Sequence, residues 1–577
     1  MEVTFTNANP GDTGESFLIR FDGGDDPAAC FLVDSGAGVD VDSLLDDGDR
    51  LAGIFLTHAH IDHYRTLPEN HRPEVPVYVS PDTERLLPPV LRSNADLLDL
   101  HGDVEPVLNH VRAIGDEWVR IAPAVEVRPV PTGHAPGACG FVVRFDDGVA
   151  HHMLITGDFT RRAVAGNPGI SLGYPADIEA VFFNSASASH DGTDALTDSL
   201  NDVIEGVLSG GPTLVATDAL VGVQYAHLIA EINAKRSLDA TITLAGQTAT
   251  LHERLDRDRG SIRTVPEFDA TDDVFDGTDV CIAGPSTLSG ASSQRLHNAI
   301  KDDPTARTIA IGNIERKRDD PKGVDRYPHV SHPSRERAEE VIEALFPKET
   351  IIEHGNFARY GTVFDFSYTW SCNRDVPHRL YGDGEWHPPG WVGRSTCRTV
   401  ESRQYGDPSP PVAVSDDERA DDEWPSVETT VTNVAAEGVD TDDLPGGRRD
   451  GRASPTKYST DNCEGGDSGA EATDTSGRFR TATADGGAVA SSASATAAQS
   501  EGVSDDPDTR VERERLARAA EVFLDRVRPD EGDGECEFAH ATVSVTDAGD
   551  YLLRIDGDSL DMELEDQESV TASIHTD

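Results

Sequence analysis

The run Thr57-His58-Ala59-His60-Ile61-Asp62-His63 sets three imidazoles and one carboxylate within six residues, directly after the apolar stretch Gly53–Leu56. Imidazole and carboxylate together are ligands for zinc, iron or manganese rather than for magnesium or calcium alone. Two later residues suit the same site. His134 lies in Thr132-Gly133-His134-Ala135-Pro136-Gly137, after the apolar run Val125–Val130. Asp158 lies in Ile155-Thr156-Gly157-Asp158, after His152–Ile155. Alone, either would read as a turn residue or a hydrogen-bond partner. Their weight comes from standing at strand ends, where loops converge on one site. The chemistry such a set supports is metal-assisted hydrolysis.

The elements that must position these groups can be read from the apolar pattern. Up to about residue 192, short runs rich in Val, Ile, Phe and Leu alternate with Gly, Asp and Pro, as strands of a sheet sandwich do. A helix over Thr83–Leu98 is expected to break at Pro88-Pro89. From 193 to 325 helices alternate with strands: Ala195–Leu208, Thr213–Ala216, Val223–Ala234, Ala240–Leu244, Val280–Ala283, Gln294–Lys301 and Thr308–Ile311. That texture predicts a second layer with a parallel sheet. Residues 326–400 close the first domain through a helix opened by Ser334 and a strand at Thr350–Ile352. An aromatic cap with Trp370, Tyr381, Trp386 and Trp391 follows. Residues 401–508 hold few large apolar side chains and are expected to be a disordered acidic linker. Residues 509–577 predict a small element, with a helix at Val511–Val527 and a hairpin from Ala541–Val545 and Tyr551–Ile555.

With these residues in place the pattern resembles the metallo-β-lactamase fold hydrolases, and within them the β-CASP nuclease group. The resemblance rests on His58, His60, Asp62, His63, His134 and Asp158, with Asp34 in Val33-Asp34-Ser35-Gly36. It extends to Val330-Ser331-His332-Pro333-Ser334-Arg335 and Ile352-Glu353-His354-Gly355. It implies an α/β fold: an αβ/βα metallo-β-lactamase sandwich, formed by 1–192 and 326–400, with an inserted α/β β-CASP domain at 193–325. It also implies two Zn2+, with Mn2+ as an alternative. By resemblance, His58, His60 and His134 hold the first metal, Asp62, His63 and His354 the second, and Asp158 bridges. Asp34 orients the histidine loop from behind. Asp62, Asp158 and His332 form the catalytic set, with His332 on the scissile phosphate.

The sequence departs from that pattern on the substrate side. Asn184 follows the strand Ala180–Phe183 where the group carries a carboxylate. Val330 replaces a serine, and Pro285-Ser286-Thr287 alters a turn. An amide still hydrogen-bonds, but it carries no charge. The resemblance implies a metallo-hydrolase acting as a ribonuclease on single-stranded RNA, with water activated by a metal pair. His354 favours RNA over DNA. A hydrolase of small esters or thioesters and an inactive scaffold are the competing readings.

Composition sets the background. The 577 residues carry 49 Lys and Arg against 105 Asp and Glu, a formal charge of −56. Phosphate affinity comes mainly from basic side chains, so this is no generic electrostatic binder of nucleic acid. The lysine-poor, acidic composition resembles that of salt-accumulating archaea, where screening over about 3 Å mutes net charge. Candidate backbone contacts are Arg161, Arg162, Arg316, Arg318 and Arg335. Seven scattered cysteines without a C-x-x-C suggest neither a disulfide framework nor a cysteine zinc site. No apolar run approaches the roughly 18 residues of a membrane span, and the first residues do not read as a signal peptide. A cytoplasmic protein is expected, with no membrane partner and a homodimer left open.

Overall fold

The computed structural model describes residues 1–10, 15–24, 27–97, 100–186, 188, 190, 192–255, 257, 262–312, 321–354, 360, 363–372, 375–406, 423–442, 444, 540–545 and 551–556. Two compact units are present, 1–473 and 474–577. In the second, the strands His540–Val545 and Tyr551–Asp556 pair antiparallel as the expected hairpin. The expected helix at 511–527 lies outside the described residues.

The first unit is an α/β structure built on two facing sheets. One has eight strands and begins as an antiparallel meander of Glu2–Asn7, Phe17–Asp22 and Ala29–Val33. It continues in parallel through Arg50–Phe55, Val77–Val79 and Val111–Ala113. The other has seven strands. Val119–Ala122, Val125–Pro131, Cys139–Asp146 and Ala150–Ile155 run antiparallel, and Ala180–Asn184, Glu349–Glu353 and Tyr368–Trp370 then add in parallel. Phe5, Phe17, Phe31 and Phe55 of one sheet pack against Phe141, Phe145, Phe182 and Trp370 of the other. Rings of this size dominate the burial that holds such layers together. Helices cover the outer faces, packing on two further apolar clusters.

The helix Pro81–Leu97 runs unbroken through Pro88 and Pro89, against expectation. The two prolines leave the carbonyls of Glu84 and Arg85 without their helical donors. Both residues are exposed, so water can satisfy them, while Leu86, Leu87, Val90 and Leu91 are buried on the other face. Packing outweighs the lost hydrogen bonds.

The inserted domain is a parallel six-stranded sheet in the order Ile262–Val265, Ile242–Ala245, Val280–Ala283, Thr213–Thr217, Arg307–Gly312, Val324–Pro328. Apolar clusters line both of its faces, as a sheet with helices on each side requires. The insert leaves the sandwich after Ala180–Asn184 and the chain returns at Glu349–Glu353. These two strands pair directly, with Asn184 in register with Glu353. The aromatic cap completes both sheets: His378–Gly382 and Glu385–Trp386 extend the first beside Glu2–Asn7, and Tyr368–Trp370 edges the second.

The stretch 401–508 is not wholly the disordered linker expected. The helix Arg394–Gly406 runs into it, and residues 423–442 with Leu444 form a strap on the body. Val427, Val434, Val439 and Leu444 are buried, and Trp424 stands edge-on to Trp118 at 5.2 Å. The strap ties the sandwich to the insert. Glu437 accepts from the Gly166 amide on one side and from Nε2 of Gln224 on the other, each at 3.1 Å. Averaged composition hid a few well-spaced apolar anchors. Among the described residues, no helix is long and apolar enough to cross a membrane.

Candidate metal centre

Each expected metal-site residue follows or ends a strand. Asp34 follows Ala29–Val33, and His58 and His60 follow Arg50–Phe55. Asp62 and His63 open the short helix Ile61–Tyr64. His134 follows Val125–Pro131, Asp158 follows Ala150–Ile155, Asn184 ends Ala180–Asn184, and His354 follows Glu349–Glu353. Gly157 makes the turn to Asp158 at φ 55°, where a Cβ would also press on Thr57. Asp34 and His354 adopt positive φ, 52° and 36°. Such conformations cost on the order of 1 kcal/mol or more outside glycine and concentrate where function holds them.

The structure brings the residues together. Oδ2 of Asp158 lies 3.3 Å from Nε2 of His134, 3.5 Å from Nε2 of His63, 3.8 Å from Nε2 of His58 and 3.9 Å from Nε2 of His332. Nδ1 of His60 is 2.9 Å from Nε2 of His58 and 3.0 Å from Nε2 of His134. Among the described residues three candidate ligand groups result: His58, His60 and His134; His58, His63 and Asp158; and His134, Asp158 and His332. Asp62 and His354 stand beside these groups rather than in them. Oδ2 of Asp62 is 3.7 Å from Nε2 of His63, and Nδ1 of His354 is 3.5 Å from Oδ1 of Asp158.

Hydrogen bonds fix which nitrogen faces inward. Nδ1 of His134 can only donate to the Ser331 carbonyl, at 2.7 Å, which turns its lone pair on Nε2 to the centre. Nδ1 of His63 donates to Oδ2 of Asp34 at 2.7 Å. Nδ1 of His58 donates to the Thr57 hydroxyl at 3.0 Å, and that hydroxyl passes its proton to Asp34 at 2.9 Å. This is the outer-shell arrangement that orients metal-binding histidines. Asn184 takes the Ala186 amide on its Oδ1. Its amide nitrogen therefore faces Oδ1 of Asp158 and, at 3.1 Å, Nδ1 of His354.

The donor set fits a divalent cation. Three imidazole nitrogens meet at about hydrogen-bond distance, and buried Nε2 of His63 and Oδ1 of Asp62 have no hydrogen-bond partner. Orphaned buried polar atoms are costly unless something binds them. Burial, with the neighbouring imidazoles, holds His58 well below the usual histidine range. Burial also lowers His134, against the pull of Asp158. Burial opposes protonation of His63 too, but Asp34, Asp158 and Asp62 outweigh it and raise its pKa well above the usual range. Burial works against ionisation of Asp158 and is overcome by His134, His63 and His332. Neutral His58 and His134 and an ionised Asp158 are the states a cation needs, and His63 would have to give up a proton to bind one.

The three described candidate arginines do not line an open basic path. Arg161 and Arg162 bond the carbonyls of Ile170 and Val330. Arg335 pairs with Glu339 at 2.6 Å on an exposed helix face. Arg316 and Arg318 lie outside the described residues. Sequence reading missed Glu15 and Glu353, both buried beside the centre. A glutamate ending the apolar run Thr350–Ile352 was the available signal.

Residues 31–166 match the family described as Beta-lactamase superfamily domain. The chain is also similar to Ribonuclease TTHA0252 of Thermus thermophilus, 30% identical over 223 residues, covering 37% of this chain and 51% of the relative. It is similar to Transcription termination factor FttA of Thermococcus kodakarensis, 30% identical over 128 residues, covering 20% of this chain and 19% of that one. The chain thus spans about half the length of the first relative and a fifth of the second. A protein of unknown function from Enterococcus faecalis V583 superposes with a TM-score of 0.48 at 15% identity, over 66% of this chain and all of that one.

Proposed function

We propose that this chain is a divalent-metal-dependent ribonuclease of the β-CASP kind, hydrolysing phosphodiester bonds in single-stranded RNA. The observation that carries the reading is the Asp158 carboxylate, set 3.3–3.9 Å from four imidazoles that come from three separate segments of the chain. His58, His60 and His134 would hold a first cation, Asp62, His63 and His354 a second, and Asp158 would bridge them, with Zn2+ or Mn2+ suiting the donors. Such a pair supplies Lewis acidity and brings the pKa of a water toward neutrality. Burial lowers the pKa of His332; it would hydrogen-bond the scissile phosphate through a ring N–H or, in its protonated form, give a proton to the leaving oxygen.

Two further observations support RNA. A curated relative overlapping 37% of this chain is named a ribonuclease. The inserted parallel sheet is also an element that hydrolysis of a small ester does not need. The test is to incubate Zn2+- or Mn2+-loaded protein at high salt with labelled single-stranded RNA, single-stranded DNA and an activated ester. Preferential RNA cleavage is the expected result. Equal or DNA-only cleavage overturns the choice of substrate, and ester turnover without RNA cleavage overturns the nuclease reading.

A further inference from the structure

Behind His63 and Asn184, at the top of the core between the two sheets, lies an internal cavity of about 10 Å³. That is about the least space that holds one water-sized occupant. Its floor is apolar, from Phe17, Val33, Ile155 and Phe182. Its upper wall carries three carboxylates, Glu15, Asp34 and Glu353, and among the described residues no lysine or arginine.

The three carboxylates are not equivalent. Asp34 is taken up by Thr57 and His63. Glu15 accepts through Oε1 from Nδ2 of Asn9 at 2.9 Å and from the Ser16 hydroxyl at 3.3 Å. Its carboxylate lies so close to Gly36 that any side chain there would overlap it. Glu353 is 5% exposed, and neither of its carboxylate oxygens has a hydrogen-bond partner. A buried carboxylate without partners is among the most costly groups a protein can hold. It is tolerated where a proton or a cation neutralises it.

We propose that the cavity between Glu15 and Glu353 binds one desolvated alkali-metal cation, Na+ or K+, as a second site behind the metal centre. Carboxylate oxygens, as on Glu15 and Glu353, are donors that hard cations take. A potassium ion is about the size of a water molecule, so the space admits it without its hydration shell. Glu353 stands in strand register with Asn184 and next to His354 in sequence. The cation would therefore fix the strand ends that carry both residues, and it would do so whether or not the divalent site is filled.

Two measurements on the full chain test this. The first is anomalous diffraction from crystals of the wild-type protein soaked in thallium(I). A peak in the cavity is expected; water or empty density there overturns the proposal. The second is thermal unfolding of chelator-treated protein in KCl, NaCl and tetramethylammonium chloride at equal ionic strength. The alkali salts should raise the midpoint by at least about 3 °C over the organic cation. The difference should vanish in Glu353→Gln. No difference in the wild type would mean that a proton neutralises Glu353, and a difference that survives Glu353→Gln would mean that the alkali cation acts elsewhere; either result overturns the proposal. Because divalent ions are removed, this outcome is independent of whether the chain cleaves RNA.

Discussion

Asp34 and His63 lie 29 positions apart in sequence, yet Oδ2 of the first accepts the Nδ1 proton of the second at 2.7 Å. The same carboxylate takes the Thr57 amide at 2.8 Å and the Thr57 hydroxyl, which in turn holds His58. One buried side chain thus sets the inward nitrogen of two candidate ligands, His58 and His63. In Asp34→Asn, one of the two faces of the group becomes a donor and opposes His63 or Thr57. Divalent-metal affinity should fall about 10–100-fold, read by competition with a chromophoric chelator. Unchanged affinity would show that Asp34 does not orient the histidines.

Asn184 presents its amide to Asp158 and His354. Asn184→Asp replaces a donor with a second carboxylate against Asp158, and like charges at this depth repel strongly. The variant should lose about 1–3 kcal/mol of stability in chelator. Saturating Zn2+ should recover much of that loss, because a cation between the two carboxylates removes the repulsion. Thermal unfolding with and without metal reads both numbers. Equal losses in the two conditions would place Asn184 away from the metal.

Glu437 joins the two lobes through the Gly166 amide and the Gln224 side chain. Gly166 sits in the loop that follows Asp158, and Asn167 beside it holds the carbonyls of Ala135 and Ala138 in the His134 loop. Glu437→Ala leaves buried donors unmatched and should cost about 2 kcal/mol or more. Faster proteolysis within 423–442 should accompany it. Glu437→Gln keeps one acceptor and should cost less. Indifference to both substitutions would mean that the strap is not coupled to the body.

Glu349 is fully buried, and burial pushes its carboxyl well above the usual range, although the Trp370 indole donates to it at 2.9 Å. The folded protein keeps a proton that the unfolded chain releases near pH ~4.3. Stability from this group is therefore complete below that pH and declines as pH rises toward the folded pKa. Glu349→Gln removes the proton requirement. Its stability relative to wild type should rise from pH 5 to pH 8 by about 1 kcal/mol or more. Denaturant titrations at the two pH values check the sign, and a flat difference would contradict it.

Sequence made the sandwich strands and the alternating insert legible because both have strong apolar periodicity. His58, His60, His63, His134 and Asp158 stood out because costly polar residues followed apolar runs, and the structure brings them to one point. Less visible were features that depend on tertiary geometry. Pro88 and Pro89 sit inside a helix because its other face is buried. The strap at 423–442 was hidden in an acidic stretch whose few apolar anchors are far apart. The strands Val111–Ala113 and Val119–Ala122 are three and four residues long, too short to show a period. The cavity at Glu353 arises from residues brought together by five strands, which no local pattern encodes.

The most direct test of the central claim pairs metal content with RNA cleavage for the wild type and Asp158→Ala, a change at the carboxylate proposed to bridge two cations. The wild type should bind about two divalent ions per chain and cleave single-stranded RNA. The variant should bind fewer ions and lose cleavage by several orders of magnitude while keeping its fold by circular dichroism. A wild type that binds no divalent metal, or a variant that cleaves RNA at the wild-type rate, would contradict the account.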